Sequence, residues 1–368
     1  MESKDNNLPV NLSEFEPLAQ AILPKPAFDH LSGGADDEGT LRENLAAFQR
    51  IQLVPRVMRD VTRCDPSTTV LGQPLTMPVV LGPVACHRLF HPEGEFAVAR
   101  AAAQAGLVLA VSTGSSYSLE EVAASSPGPR WFQLYAYEDR GVTRGLVERA
   151  EAAGYQAICL TVDSPVSGRR ERDLRNGFIR PKPFLYKTLV DVGFTDLSPD
   201  LDEEQLLAFA GKSLAVALTW DYLDWLRSLT RLPFLLKGIL NQQDALMAAS
   251  RGIEGVVVSN HGGRQLDGTP ASIDVLQGIA EAVDGRSEVL VDSGVRRGTD
   301  VLKALALGAR AVLIGRPYIW GLAVNGQAGV TQVLELLREE FRIAMGLTGC
   351  VNVSDVSKEL IFRRRDVL

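Results

Sequence analysis

The sequence predicts an α/β fold, a closed parallel (β/α)₈ barrel of the TIM type with an N-terminal helical cap and a long loop after the fourth strand. Three observations support this prediction. Short apolar runs alternate with helical segments, eight such units follow one another, and several runs are apolar at consecutive positions, as in residues 255–259 and 311–315. Runs of this kind are typical of strands that are covered on both faces in parallel sheets. Eight strand–helix units are the number that closes such a barrel.

Each unit consists of an apolar run and the helical pattern that follows it. The predicted strands are residues 77–85, 107–112, 131–135, 157–163, 233–237, 255–260, 288–292 and 309–315. The predicted helices are residues 93–105, 119–124, 143–153, 222–228, 242–250, 272–283, 299–307 and 330–345. Residues 1–76 precede the first strand, and we expect them to form a helical cap at the base of the barrel. With residues 77–368 as the barrel, the chain forms one structural domain overall.

The connection from Asp163 to Pro233 is much longer than the others. It contains Pro181, Pro183, Pro199 and an acidic patch at residues 200–204. In a barrel it is the loop after the fourth strand, on the catalytic face, and long loops there are commonly lids.

Composition excludes several classes of protein. A hydrophobic content of 46% with a net charge of −7 excludes general disorder, and the acidic balance argues against a broad surface for nucleic acid or an anionic membrane. The N-terminus is polar, so we do not expect secretion through a signal peptide, and no stretch reaches the roughly 18 apolar residues of a membrane span. The four cysteines form no C-x-x-C pair and match no metal spacing, which indicates reduced thiols in a cytoplasmic protein without a metal site.

Polar residues end nearly every apolar run, and the C-terminal ends of barrel strands are where active sites gather. Strand ends always meet water, but the regularity of this pattern favours a polar, functional mouth. These residues are Ser112, Gln133, Tyr135, Thr161, Asp163, Lys237, Ser259, Asn260, His261, Asp292 and Arg316.

The most informative segment is residues 259–267, which contains His261, two glycines and Arg264 directly after a buried strand. An imidazole beside a guanidinium suits proton abstraction from an anionic substrate, because the arginine can hold a carboxylate with two hydrogen bonds. Asp163 ends another strand and could orient His261. Lys237 should point into the mouth, where it could form a Schiff base or stabilise an anion.

Two further segments, residues 291–298 and 314–317, follow the seventh and eighth strands. Barrels often bind phosphate there through backbone N–H groups and a helix N-terminus. Arg296 and Arg316 would add positive charge, so the pattern predicts a phosphorylated cofactor or substrate.

Together these segments resemble the family of FMN-dependent L-2-hydroxy acid oxidases, which includes glycolate, lactate and 4-hydroxymandelate oxidases and mandelate dehydrogenase. The resemblance covers about residues 12–355 and is closest to bacterial, particularly cyanobacterial, lactate-oxidase-like members. The segments that carry it are residues 32–44, 91–95, 131–135, 160–170, 259–267, 292–298 and 315–317. It implies FMN in the mouth of the barrel, a homotetramer, and oxidation of a lactate-like L-2-hydroxy acid to the 2-oxo acid.

The resemblance also implies roles for individual residues. His261 resembles the general base, Asp163 its partner, and Tyr135 the hydroxyl that contacts substrate. Arg170 and Arg264 resemble the carboxylate clamp. The implied FMN contacts are the backbone of Pro83, Val84 and Ala85 at N5, the side chains of Ser112, Gln133 and Thr161 at the polar ring edge, Lys237 at the N1/O2 edge, Asp292, Arg296, Gly315 and Arg316 at the ribityl chain and phosphate, and also Ser259 and Gly294.

Three positions bear on substrate and electron acceptor. Ala85 stands where the oxidases of the family commonly have alanine and several non-oxidase members have glycine. The resemblance therefore favours O₂ as acceptor and H₂O₂ as product. His30 stands where many members have a substrate-binding tyrosine, and Gly114 stands where glycolate oxidase has a tryptophan in the pocket wall. The room left at Gly114 keeps both lactate and an aromatic 2-hydroxy acid such as mandelate open. A dehydrogenase with another acceptor, a flavin binder with little catalysis and a non-flavin phosphate-binding barrel are the remaining alternatives.

Overall fold

Eight parallel strands close into a barrel in a computed structural model that describes residues 8–178, 187–190 and 218–362. Numbered along the chain, the strands are β1 (Gln52–Leu53), β2 (Thr68–Val70), β3 (Gln73–Leu75), β4 (Val79–Leu81), β5 (Leu109–Ser112), β6 (Arg130–Leu134), β7 (Ile158–Thr161), β8 (Phe234–Ile239), β9 (Gly255–Val258), β10 (Glu288–Val291), β11 (Ala311–Ile314) and β12 (Ile361–Phe362). The barrel runs from β4 to β11 in chain order, and β11 pairs with β4 to close it. The predicted (β/α)₈ fold and all eight predicted strands are therefore confirmed.

The helices surround the barrel and alternate with its strands. They are α1 (Phe15–Ile22), α2 (Lys25–Ser32), α3 (Gly39–Arg50), α4 (Gly94–Ala105), α5 (Leu119–Ala124), α6 (Arg140–Ala152), α7 (Glu171–Arg175), α8 (Lys187–Val190), α9 (Trp220–Arg227), α10 (Gln242–Ser250), α11 (Ser272–Val283), α12 (Gly298–Ala306) and α13 (Arg316–Thr348). Some helices begin earlier than the apolar pattern predicts, because a capping side chain fixes the first turn. The side chain of Asp139 accepts from Gly141 N, so α6 begins at Arg140 rather than at the predicted Thr143.

The predicted helix 330–345 is the second part of α13. Asn325 and Gly326 have non-helical backbone angles and divide this long element. Its buried side chains include Trp320 and Phe341, and it packs against α1, α4 and α12. The helix therefore joins the N-terminal segment to the barrel wall.

The barrel strands are buried on both faces, which explains their consecutive apolar residues. Trp131 and Phe132 are neighbours on β6 and point to opposite faces, yet their exposed fractions are only 1% and 0%. One side chain fills the interior of the barrel and the other packs under the helices. Removal of these side chains from water is the main stabilisation of the barrel.

The N-terminal segment differs from the expected cap at the base. The β2–β3 hairpin does lie there, because Leu71 N donates to Glu288 at the start of β10 and Arg310, just before β11, donates to Thr69 O. Helices α2 and α3 lie at the opposite end, where Arg264 Nη1 donates to His30 O and Gly33 O, and Thr40 N at the start of α3 donates to Asp267 Oδ1. The expectation that the N-terminal helices cap the base is therefore wrong for α2 and α3. Their apolar pattern shows which helix face is buried but does not show which end of the barrel that face contacts.

The long connection after β7 is described only in part. Its first turns, including α7, lie at the mouth, since Gly168 N donates to Gln265 Oε1 at 3.0 Å. The predicted proline-rich and acidic stretches, with Pro181, Pro183, Pro199 and residues 200–204, lie outside the described residues. Within the described ranges, none of the helices has the length and apolar character that a bilayer crossing requires.

Candidate active site

A cavity of about 1110 Å³, counted to its opening into solvent, lies at the C-terminal ends of the barrel strands. Most of the residues that the sequence singled out line it. These are His30, Pro83, Val84, Ala85, Ser112, Gln133, Tyr135, Thr161, Arg170, Lys237, His261, Arg264, Asp292, Gly294, Arg296, Gly315 and Arg316. Leu31, Gly82, Phe90, Gly262, Ser293, Val295, Leu313 and Ile314 complete the lining.

Three predicted site residues do not line the cavity. Asp163 and Ser259 lie behind it and bind side chains that do, as described below. Gly114 lies beyond the end of β5, where its carbonyl accepts from Cys86 N at 2.9 Å.

His261 and Asp163 form a partly buried pair at the ends of β9 and β7. His261 Nδ1 lies 2.9 Å from Asp163 Oδ1, and the backbone N–H of His261 donates to Ser259 Oγ at 3.0 Å. His261 has a φ of 58°, a left-handed conformation that turns its side chain toward the mouth. Gly238 allows β8 to pass close to Asp163, since a Cβ at this position would lie only 2.5 Å from Asp163 Cβ.

The charges around this pair fix its protonation. Although burial raises the pKa of Asp163, the nearby His261 and Lys237 lower it to about 2. Burial lowers the pKa of His261 and outweighs the opposing effect of Asp163. Near neutral pH, Asp163 is therefore ionised and accepts the Nδ1 proton of a neutral imidazole, which leaves Nε2 as the basic nitrogen.

Lys237 is the buried cation of the site. Its Nζ lies 3.0 Å from Asp292 Oδ2 and donates to Ser259 Oγ at 3.0 Å. Burial lowers the pKa of Lys237, but the charges of Asp292 and Asp163 prevail and raise it. A lysine that stays protonated suits stabilisation of an anion and does not suit the Schiff-base alternative.

Two arginines reach the cavity from different segments. Arg264 is held by the carbonyls of His30 and Gly33 on the N-terminal segment, at 2.6 and 2.9 Å. Arg170 precedes α7 and lies 4.0 Å from Asp173. Both guanidinium groups thus flank the same opening, as the expected carboxylate clamp requires.

Sequence reasoning missed the partners of His30. Its Nδ1 lies 2.9 Å from Asp173 Oδ2, and its ring stacks on Phe178 at 4.3 Å. Although burial raises the pKa of Asp173, its hydrogen bond with His30 and the charges of His30, Arg264 and Arg170 lower it. The sequence does contain one indication of Asp173: it lies three residues after Arg170, a spacing that brings two side chains together on one face of a helix.

The ends of three neighbouring strands form one polar wall. Ser112 Oγ donates to Gln133 Oε1 at 3.0 Å, and Gln133 Nε2 donates to Thr161 Oγ1 at 3.0 Å. These residues come from β5, β6 and β7, whose register places Ser112 opposite Gln133. The wall presents amide and hydroxyl groups that can bind the polar edge of a flat ligand.

Positive charge dominates the other end of the cavity. Arg316 donates to the carbonyls of Leu31, Gly33 and Gly262, and burial, followed by the charge of Arg296, lowers its pKa to about 10. Arg296 lies over the ring of Trp320 at 5.0 Å. Among the described residues, no carboxylate lies within 4.0 Å of either guanidinium. The N-terminus of α13 adds its own preference for an anion, so this end suits a phosphate.

Comparison with known proteins agrees with this geometry. The family model described as FMN-dependent dehydrogenase matches residues 19–363. The chain is 52% identical over 357 residues to an L-lactate oxidase of a Nostoc species, with 96% of this chain and 98% of the relative covered. It is 48% identical over 354 residues to human 2-hydroxyacid oxidase 1, with 95% of each covered.

Solved structures show the same relationship. The structure of mandelate oxidase with (S)-4-hydroxymandelic acid has a TM-score of 0.89 and 47% identity, and covers 95% of this chain and 97% of that chain. Matches of this length and identity extend beyond the fold to the family. The chain therefore belongs to the FMN-dependent dehydrogenase family, a family of oxidoreductases whose cofactor is FMN.

Proposed function

We propose that this chain oxidises a small L-2-hydroxy acid of the lactate type to the 2-oxo acid and reduces O₂ to H₂O₂. The observation that carries the proposal is the 2.9 Å contact of His261 with Asp163 in a cavity that Arg170 and Arg264 also line. A neutral base beside two guanidinium groups suits removal of the hydroxyl proton from a substrate that carries a carboxylate.

The residues of the cavity fit FMN. Arg296 and Arg316, which lack carboxylate partners among the described residues, supply the positive charge that its phosphate needs, beside Gly294 and Gly315. Ser112, Gln133 and Thr161 would hold the polar edge of the ring, and Lys237 would lie near N1 and O2. Asp292 would contribute mainly through Lys237, to which it is paired. When bound, FMN accepts the two electrons that leave the substrate.

The protein's own groups divide the remaining work. Arg170 and Arg264 bind the substrate carboxylate and orient the α-carbon. His261 takes the hydroxyl proton on Nε2, and Asp163 stabilises the resulting imidazolium through Nδ1. Tyr135, which lines the same cavity, contacts the substrate, and Lys237 offsets negative charge that develops beside it.

An aromatic 2-hydroxy acid of the mandelate type is the second candidate substrate. Its specific support is the match to mandelate oxidase structures, together with the apolar lining by Leu31, Val84 and Phe90. Gly114 does not line the cavity, so the structural support for the larger substrate rests on these apolar residues.

The nature of the electron acceptor, the assembly and the compartment complete the proposal. Ala85 lines the cavity and, with relatives named oxidases, supports O₂ over another acceptor. We propose a homotetramer, each subunit being one domain in which residues 1–76 pack on the barrel of residues 77–368. The free cysteines Cys64, Cys86, Cys159 and Cys350 are compatible with a cytoplasmic location.

The rate of flavin reduction is expected to fall as the pH drops through the pKa of His261, because only the neutral imidazole can accept the proton. Since burial lowers this pKa, the decline should occur below the ordinary value of about 6.5. Asp163→Asn should move the decline to still lower pH, because the Asp163 charge raises the pKa of His261. Stopped-flow reduction rates between pH 4 and 8, roughly the range in which histidines titrate, measure both effects. A shift to higher pH in Asp163→Asn would contradict the assignment.

The experiment that tests the proposed function is an anaerobic absorption spectrum of the purified holoenzyme before and after L-lactate is added. Loss of the oxidised flavin bands is expected, and H₂O₂ should form when air is admitted. Bleaching by mandelate but not by lactate would favour the second candidate. Bleaching without H₂O₂ would indicate a dehydrogenase, and a flavin that no 2-hydroxy acid reduces would refute the proposal.

A further inference from the structure

The cavity wall at residues 82–85 is held from outside the cavity. Among the described residues, the backbone N–H groups of Val84 and Ala85 donate to no protein group. Gly82, at the start of this wall, is fixed on both sides: its N–H donates to Ile314 O at 2.7 Å, and its carbonyl accepts from Tyr318 Oη at 2.7 Å. The wall therefore offers two N–H groups to a ligand while its first residue is anchored by β11 and α13.

The phenol of Tyr318 also contacts the short turn that follows the wall. Tyr318 Oη lies 3.3 Å from His87 Nε2, and the two rings meet edge to face with centroids 5.7 Å apart. His87 begins the short helical turn His87–Leu89 that follows the wall. The exposed fractions of Tyr318 and His87 are 0% and 2%. One buried hydroxyl thus links the first residue of the wall to the turn that follows it.

A buried carboxylate fixes His87 in turn. Glu95, on α4, accepts from His87 N at 3.1 Å and from Ser116 N at 2.8 Å. Burial lowers the pKa of His87 against the opposing charge of Glu95, and burial raises the pKa of Tyr318. Both rings are therefore neutral near pH 7. The Tyr318 proton is donated to the Gly82 carbonyl, and a hydrogen bond with the Val84 backbone opposes the effect of burial on the pKa of His87, so the imidazole also contacts the wall itself.

We propose that Tyr318 and His87 are positioning residues that hold residues 82–85 at the depth where the N–H groups of Val84 and Ala85 meet the flavin, and that they thereby raise its reduction potential. The inference rests on the proposed placement of FMN against this wall. The positive ends of N–H dipoles beside the flavin ring favour the electron density that it gains on reduction, so a wall that recedes makes the bound flavin harder to reduce. Neither residue touches substrate, and neither has a role in the proton transfer.

Tyr318→Phe in the FMN-loaded protein tests this inference. The expected result is a shift of the bound-flavin midpoint potential to more negative values and a displaced visible absorption maximum, measured by anaerobic chemical reduction. Tyr155→Phe is the matched control. Tyr155 is 2% exposed, its hydroxyl donates to Leu119 O at 3.1 Å, and it does not line the cavity. Both variants lose one buried phenol–carbonyl hydrogen bond, but only Tyr318→Phe should change the flavin.

Two substitutions of His87 keep the test decisive if Tyr318→Phe fails to fold. His87→Leu removes the polar ring nitrogens that contact the phenol and the Val84 backbone and should shift the potential in the same direction, whereas His87→Gln keeps a polar amide and should restore much of the parental value. Parental potentials and spectra in both Tyr318→Phe and His87→Leu would overturn the inference, as would an equal shift in Tyr155→Phe.

These measurements use no hydroxy acid, so they stand even if the proposed substrate is wrong. Lys237→Met, at another face of the cavity, reports on the placement of FMN. If that variant also leaves the flavin spectrum unchanged, FMN does not lie in this cavity as proposed, and the inference about Tyr318 and His87 is then refuted as well.

Discussion

His261→Ala is expected to slow reduction of the bound flavin by the 2-hydroxy acid roughly 10²–10⁴-fold, the usual contribution of a general base. FMN should remain bound, because His261 pairs with Asp163 and takes no part in the charged end of the cavity that suits the phosphate. Anaerobic stopped-flow at saturating substrate measures the rate, and the visible spectrum of the washed protein measures the bound flavin.

Removal of the imidazole leaves the partly buried Asp163 carboxylate without this partner, which costs stability. His261→Gln separates that cost from the loss of the base, because the amide can still donate to Asp163 but cannot take up a proton near neutral pH. Both variants should be slow, and the glutamine variant should be the more stable of the two. His91→Ala is the control, since His91 does not line the cavity.

A parental rate in His261→Gln would show that another group accepts the proton. His30 would then be the next candidate, because it lines the cavity and its Nδ1 contacts Asp173 just as His261 contacts Asp163, at 2.9 Å. His30→Phe in the His261→Gln background would decide between them.

Much of the barrel and of its mouth could be predicted from the sequence for a physical reason. A strand covered on both faces needs consecutive apolar residues, and the first polar residue after such a run must lie at the strand's C-terminal end. Lys237, His261 and Arg316 were found in this way, and all three line the cavity.

Other features could not be read locally because they depend on contacts between distant segments. The apolar face of α2 predicts burial, but only the hydrogen bonds of Arg264 and Arg316 to its end show that it lies at the mouth. Tyr318 and His87 sit in segments whose composition matches ordinary core, so nothing in the sequence marks their contact with the cavity wall. Gly114 was predicted to shape the pocket, but the end of β5 places it outside the lining.

Arg170→Ala is expected to raise the KM for the 2-hydroxy acid roughly 10–150-fold, since a hydrogen bond to a charged group contributes about 1.5–3 kcal/mol. The rate of flavin reduction should fall as well, because the same contact orients the α-carbon toward the reacting centre. Steady-state kinetics with L-lactate and single-turnover reduction separate the two effects.

The neighbouring Arg169 provides a matched control, because it has the same charge and lies one residue away. Its side chain is 66% exposed, it pairs with Glu171, and it does not line the cavity. Arg169→Ala should leave KM near the parental value, since an exposed pair of this kind contributes little. Lactamide, which lacks the carboxylate, gives a further comparison. If Arg170 binds the carboxylate, Arg170→Ala should lose most of the preference for lactate over lactamide, and Arg169→Ala should keep it. An unchanged preference in Arg170→Ala would assign the carboxylate to Arg264 alone and leave Arg170 with a structural role beside Asp173.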